Sequence, residues 1–136
     1  MPIEWSLFLL LYLVSVPVFF LIDMIWLGYV ARGLYQRELE PLLGDVRWGA
    51  AISFYLLYLV GVTFFASYPA FLAGDVSSAF ILGGLFGFFT YATYGLTNLS
   101  TIKGWPTKLT FIDLVWGTAL GSLVAGGTVI LLGVFI

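Results

Sequence analysis

The chain has 136 residues, of which 62% are hydrophobic, 19% aromatic and only 9% charged, with a mean hydropathy of +1.10. A soluble globular domain carries about 25% charged residues, so this composition excludes one and makes the lipid bilayer the chain's partner. Five basic and seven acidic side chains give a net charge of −2 with no basic stripe, which excludes nucleic acid; the lack of Cys and His removes thiol and imidazole chemistry and the usual ligands of zinc, copper and haem, so neither metal nor cofactor is expected.

Four apolar runs stand out, Trp5 to Val30, Trp48 to Tyr68, Val76 to Ser100 and Leu109 to Ile136, each at or above the ~20 residues needed to cross a bilayer. The expected fold class is therefore an all-α integral membrane protein: a four-transmembrane-helix bundle forming one domain over residues 1–136. No basic segment precedes the first run and no small-residue cleavage pattern follows it, so it reads as a retained span. Pro17 should free a carbonyl one turn earlier and bend that helix.

The first connection, Ala31 to Arg47, is patterned like a helix: Leu34, Tyr35, Leu39, Leu42 and Leu43 recur near helical spacing with Arg37, Glu38 and Glu40 between them. A short interfacial helix ending at Gly44 is expected between helices one and two. In the second connection Pro69 is expected to close helix two and Asp75 to cap helix three. The third holds Gly104-Trp105-Pro106, a turn signature, with Thr107 as the expected cap of helix four.

All the basic residues fall in two of these connections, Arg32, Arg37 and Arg47 in the first and Lys103 and Lys108 around the third. By the positive-inside rule those connections face the cytoplasm and both termini lie in the periplasm, for a bacterial inner-membrane protein. Trp5, Trp26, Tyr29, Tyr35, Trp48, Tyr68 and Trp105 lie near the ends of the runs, where amphipathic rings favour the headgroup layer. Gly117, Gly121 and Ala125 in helix four, and Gly83 and Gly87 in helix three, are spaced four apart and offer grooves for close backbone approach.

The polar residues converge. Thr90, Tyr94, Thr97, Asn98 and Thr101 share one face of the third helix, and a buried amide needs partners that hydrocarbon does not supply. Counting ~1.5 Å per residue from the cytoplasmic ends puts Asp23, Tyr55, Tyr58, Tyr91, Tyr94, Asn98 and Asp113 within ~5–15 Å of that side, so all four helices bring polar groups to one layer. Asp23 and Asp113 each have a Trp three residues on, Trp26 and Trp116, and Tyr55/Tyr58 echo Tyr91/Tyr94. A carboxyl group removed from water must be neutral or held by donors, and intramembrane acids are candidate functional groups by default.

Over nearly its whole length the chain resembles a family of small bacterial inner-membrane proteins known as domain of unknown function 2177. The resemblance is carried by Asp23-Met24-Ile25-Trp26-Leu27-Gly28, Tyr91-Ala92-Thr93-Tyr94, Leu96-Thr97-Asn98-Leu99, Lys103-Gly104-Trp105 and Asp113-Leu114-Val115-Trp116-Gly117. It implies a four-helix fold and an inner-membrane address, and no activity. In the family this chain resembles, an acid commonly follows the second Tyr, where this chain has Gly95.

The leading functional expectation is a protein that binds or transfers a small amphipathic or lipid-like ligand in a cytoplasm-facing polar and aromatic pocket. Its candidate ligand-binding residues are Asp23, Trp26, Tyr55, Tyr58, Tyr91, Tyr94, Thr97, Asn98, Asp113 and Trp116. A small membrane enzyme using an intramembrane Asp as general acid on a lipid or isoprenoid is the alternative, with no catalytic residue singled out. A third reading is an accessory subunit whose glycine faces dock onto a larger membrane complex, and a homo-oligomer is left open. Retinal-type pigment binding is disfavoured, since neither Lys lies within a run.

Overall fold

A computed structural model describes residues 3–30, 32–45 and 47–136. The chain begins with α1 (Trp5–Ile25), which runs into a π-helical turn (Trp26–Val30), and continues through α2 (Arg32–Leu39) and a 3-10 turn (Glu40–Leu42). The second long helix is built from α3 (Trp48–Val62), a π-helical turn (Thr63–Ser67) and α4 (Tyr68–Ala73). The last two are α5 (Val76–Thr101) and α6 (Thr107–Phe135). Among the described residues there is no strand, and four helices are long and apolar enough to cross a membrane: Trp5–Tyr29, Trp48–Ala73, Val76–Thr101 and Thr107–Phe135.

Side chains such as Leu9, Leu13, Leu21, Leu57, Ile81, Phe89, Val115 and Val134 are exposed on the outside of this bundle, where only lipid would accept them. Inside, Phe19 of α1, Leu59 and Val62 of α3, Ala66 of the π turn and Leu120, Val124 and Ala125 of α6 form a closed core. Nearer the N-terminus, Leu11, Tyr68 and Leu132 make a second cluster, and the Glu4 amide donates to the Tyr68 hydroxyl at 2.7 Å. Two buried hydroxyls are satisfied locally: Ser15 donates to the Tyr12 carbonyl at 2.6 Å and Thr63 to that of Leu59 at 2.8 Å.

The closest pairing is α5 with α6, and the glycine spacing explains it. A Cβ on Gly83 would strike the Gly121 carbonyl and Ala125, one on Gly87 would strike the Gly117 carbonyl, and one on Gly121 would strike the Gly83 carbonyl. The two backbones are in contact, and the grooves expected from the small residues turn out to face each other. Gly126 likewise makes room for the Phe80 ring, Gly61 for Phe86 and Gly117 for Tyr91. These glycines are taken up inside the chain, so an accessory-subunit reading that rests on them as free docking faces loses its premise.

Three local expectations are corrected. Pro69 does not close the second long helix, which continues to Ala73 and stops at Gly74, whose φ of +66° is a left-handed conformation cheap only for glycine. The preceding π turn makes this possible: the Tyr68 amide bonds back to the Thr63 carbonyl, and this wider spacing relieves the clash and the missing donor that Pro69 would impose on a regular α-helix. The interfacial helix exists but ends at Leu39, before Pro41, and only a 3-10 turn follows it toward Gly44. The cap position of α6 is Pro106, with Thr107 its first helical residue. Asp75 does cap α5, accepting from the Ser78 amide at 3.4 Å and the Ser78 hydroxyl at 2.8 Å. Pro17 sits inside an uninterrupted α1.

Candidate functional site

The first turns of α3 contribute little to the core. Trp48, Ile52 and Phe54 are exposed and Gly49 faces open space, whereas Tyr58, Leu59 and Val62 further along are buried. A cavity of about 500 Å³ occupies the gap between these turns and the other helices, within the range of small-molecule sites. It lies at the end of the bundle where α2 and the α5–α6 connection are found, the end that carries the basic residues.

Seen from its walls, α1 and its π turn supply Asp23, Trp26 and Leu27, and α3 supplies Ala50, Ala51, Phe54 and Tyr55. Thr90, Tyr91 and Tyr94 come from α5, Asp113 and Trp116 from α6, and Tyr35 from α2. The paired Asp and Trp positions meet in space: Trp26 and Trp116 are stacked, ring centroids 4.3 Å apart and planes 5° from parallel. Because each Trp follows its Asp by three residues on a helix, the stack brings both carboxyl groups to the same cavity. Behind it, Phe19 packs on Tyr55 at 5.2 Å and on Tyr58 at 5.9 Å, and Tyr58 on Phe86 at 5.5 Å, so the inner wall is aromatic.

The two acids have different surroundings. Asp113 Oδ1 accepts a hydrogen bond from the Tyr35 hydroxyl at 2.5 Å, and Tyr35 in turn accepts from the Trp26 indole at 3.1 Å, a chain that joins α1, α2 and α6. Burial, reinforced by the neighbouring carboxylate, pushes the Tyr35 hydroxyl above the usual tyrosine range, so it stays protonated as the donor. Asp23 is only 8% exposed and opens on the cavity, yet no donor among the described residues bonds its carboxyl group.

Tyr35 is the residue that sequence reasoning placed elsewhere, at the headgroup layer. In α2, Leu34, Tyr35, Glu38 and Leu39 are half-buried while Gln36 and Arg37 are exposed, so this short helix turns one face to the bundle. That spacing is legible in the sequence; its destination under α6 is a tertiary fact. Leu27, Ala50, Ala51 and Phe54 carry no chemical signal that would have marked them.

Other expected residues lie off the cavity. Tyr58 sits behind its wall, buried, with a hydroxyl that meets no partner among the described residues. Thr97 is exposed and Asn98 half-buried, and neither lines the cavity, so the polar face of α5 reaches it only through Thr90 and Tyr94. The hydroxyl groups of Thr90 and Thr101 bond carbonyls of their own helix, Phe86 and Thr97, at 2.9 and 2.8 Å. Beyond the wall made by Tyr35, Tyr94 and Asp113 is a smaller space of about 50 Å³ bordered by Trp105, Thr110 and Gly95. Gly95 is buried against Thr110.

Among the described residues no cluster of acids has the makings of a metal site. Comparison with curated proteins and with solved structures found no match. A family model described as "Predicted membrane protein (DUF2177)" matches residues 8–130, a stretch that takes in most of α1, most of α6, everything between them and every residue of the cavity wall. The chain belongs to that family of membrane proteins.

Proposed function

We propose that this protein binds, and in its biological setting transfers or presents, a small amphipathic or lipid-like molecule held in the cavity between α1, α3, α5 and α6. The observation that carries the reading is the cavity itself: about 500 Å³ bordered by five aromatic rings of Trp and Tyr besides Tyr35, with two carboxyl groups to set orientation. A bundle this small and otherwise close-packed has no structural need for such a gap. The positive-inside charge pattern supports a cavity facing the cytoplasm, with both termini periplasmic in a bacterial inner membrane.

Mass spectrometry of what copurifies from native membranes tests this, with Ala51→Trp as the comparison, since the added ring fills the space beside α3. A molecule retained by the parent and lost from a folded Ala51→Trp variant supports the reading; identical profiles from both overturn it. The inequality of the two acids favours a second reading, an enzyme in which Asp23 is the general acid while Tyr35 holds Asp113 in place. In that case Asp23→Asn would retain a bound molecule of altered mass rather than lose it.

A further inference from the structure

We infer that the occupant of this cavity is an organic cation, an amine or quaternary ammonium group on an apolar body; the inference rests on the binding reading above and names its ligand class. Asp23 is more than nine-tenths buried, opens on the cavity and has no bonded donor among the described residues. Asp113 gives one carboxyl oxygen to Tyr35. A buried acid without a partner is costly, and Asp23 in that state, with the half-buried, Tyr35-bonded Asp113 on the same cavity, calls for positive charge from elsewhere.

None of the described wall residues is Lys or Arg, although Arg37, Arg47, Lys103 and Lys108 all lie in or beside the connections at this end of the bundle. Those four are exposed and stay outside the wall. The rings act in the same direction as the acids. The rings of Trp26, Trp116, Tyr55 and Tyr91 border the same space, and the open face of an aromatic ring attracts a cation within about 6 Å and repels an anion. A hard metal ion would need six or more oxygen ligands, which two carboxyl groups among aromatic walls do not provide. Among the described wall residues a carboxylate or phosphate head would meet two acids and no base. A soft organic cation satisfies both the charge and the walls.

The test uses the full chain in nanodiscs of zwitterionic lipid and three probes of one shape: 4-phenylbutyltrimethylammonium, its uncharged carbon isostere with a tert-butyl head, and the corresponding sulfonate. Saturable quenching of tryptophan fluorescence reports occupancy beside the Trp26–Trp116 stack. The expected result is that the ammonium probe binds at least about tenfold tighter than the isostere, that the sulfonate binds weakest, and that Asp23→Asn removes the advantage. Asp23→Glu should restore part of it, separating lost charge from lost folding. If isostere and cation bind alike, the cation inference falls while the amphiphile-binding reading stands. If none of the three binds saturably, both fall. The comparison among probes on the unmodified chain decides the matter even where a variant does not fold.

Discussion

Between Gly83 and Ala125, α5 and α6 approach until backbone meets backbone, whereas one or two turns nearer the connections the same helices carry Tyr91 and Trp116 and stand beside a cavity. The two regions use opposite means. Deep in the bundle, glycines remove side chains so that dispersion contacts run along the main chain. Toward the connections, Trp and Tyr rings from α1, α3, α5 and α6 border an open space, and Asp23 and Asp113 lie on its wall. The contrast teaches that the same pair of helices can be made rigid at one level and receptive at another by the size of residues spaced four apart.

The largest expected effect breaks the close-packed region. Gly121→Leu drives a side chain into the Gly83 carbonyl, where backbone rather than a movable side chain is in the way. A loss of ~3 kcal/mol or more is expected, read as the unfolding midpoint in mixed micelles. A loss below ~1 kcal/mol would mean that α5 and α6 are not in backbone contact.

Next in size is the strap across the cavity. Tyr35→Phe removes the donor to Asp113 and the acceptor for Trp26, and hydrogen bonds to charged groups contribute about 1.5–3 kcal/mol. The effect should be local: amides of Arg32–Leu39 exchange with deuterium roughly tenfold faster while those of α5 and α6 are unchanged. Uniform acceleration across all helices would instead make Tyr35 part of the global fold.

The smallest effect sharpens the boundary between the regions. The Tyr58 hydroxyl is buried with no partner among the described residues, so Tyr58→Phe should be neutral or stabilising within ~1 kcal/mol. Thermal unfolding of this variant beside Tyr35→Phe makes the test. Destabilisation of Tyr58→Phe by ~2 kcal/mol would show that its hydroxyl has a partner and that the polar region extends deeper than the cavity wall.

How much of this was legible in the sequence follows the same division. The four long helices came from hydropathy and length, and the grooves for close approach from glycines four apart, because both signals are local and periodic; that the grooves of α5 and α6 meet each other is a tertiary fact. The Asp and Trp pairs were legible as an echo, and the fold turns that echo into a stacked Trp26–Trp116 pair. What escaped depends on chain path. Tyr35 looked like a headgroup anchor because an aromatic residue in a connection has the same composition whether its helix lies on the lipid or folds under the bundle. Thr97 and Asn98 share a helical face with Tyr94, yet the cavity ends before reaching them, a length that periodicity does not carry. Pro69 read as a stop because its cost in a regular α-helix is general, and the π turn that removes the cost has no sequence signature of its own.

The central claim is that one end of the bundle holds an accessible cavity while the rest is closed, and cysteine labelling tests it most directly because the chain contains no Cys of its own. Ala51 lies on the cavity wall, and Ala66, at 0% exposure, lies in the closed core. In native membranes Ala51→Cys should react with methanethiosulfonate ethylammonium and be protected by 4-phenylbutyltrimethylammonium, while Ala66→Cys remains unmodified under the same treatment. Two cysteines that react equally, or an Ala51→Cys as inert as Ala66→Cys, would contradict the account.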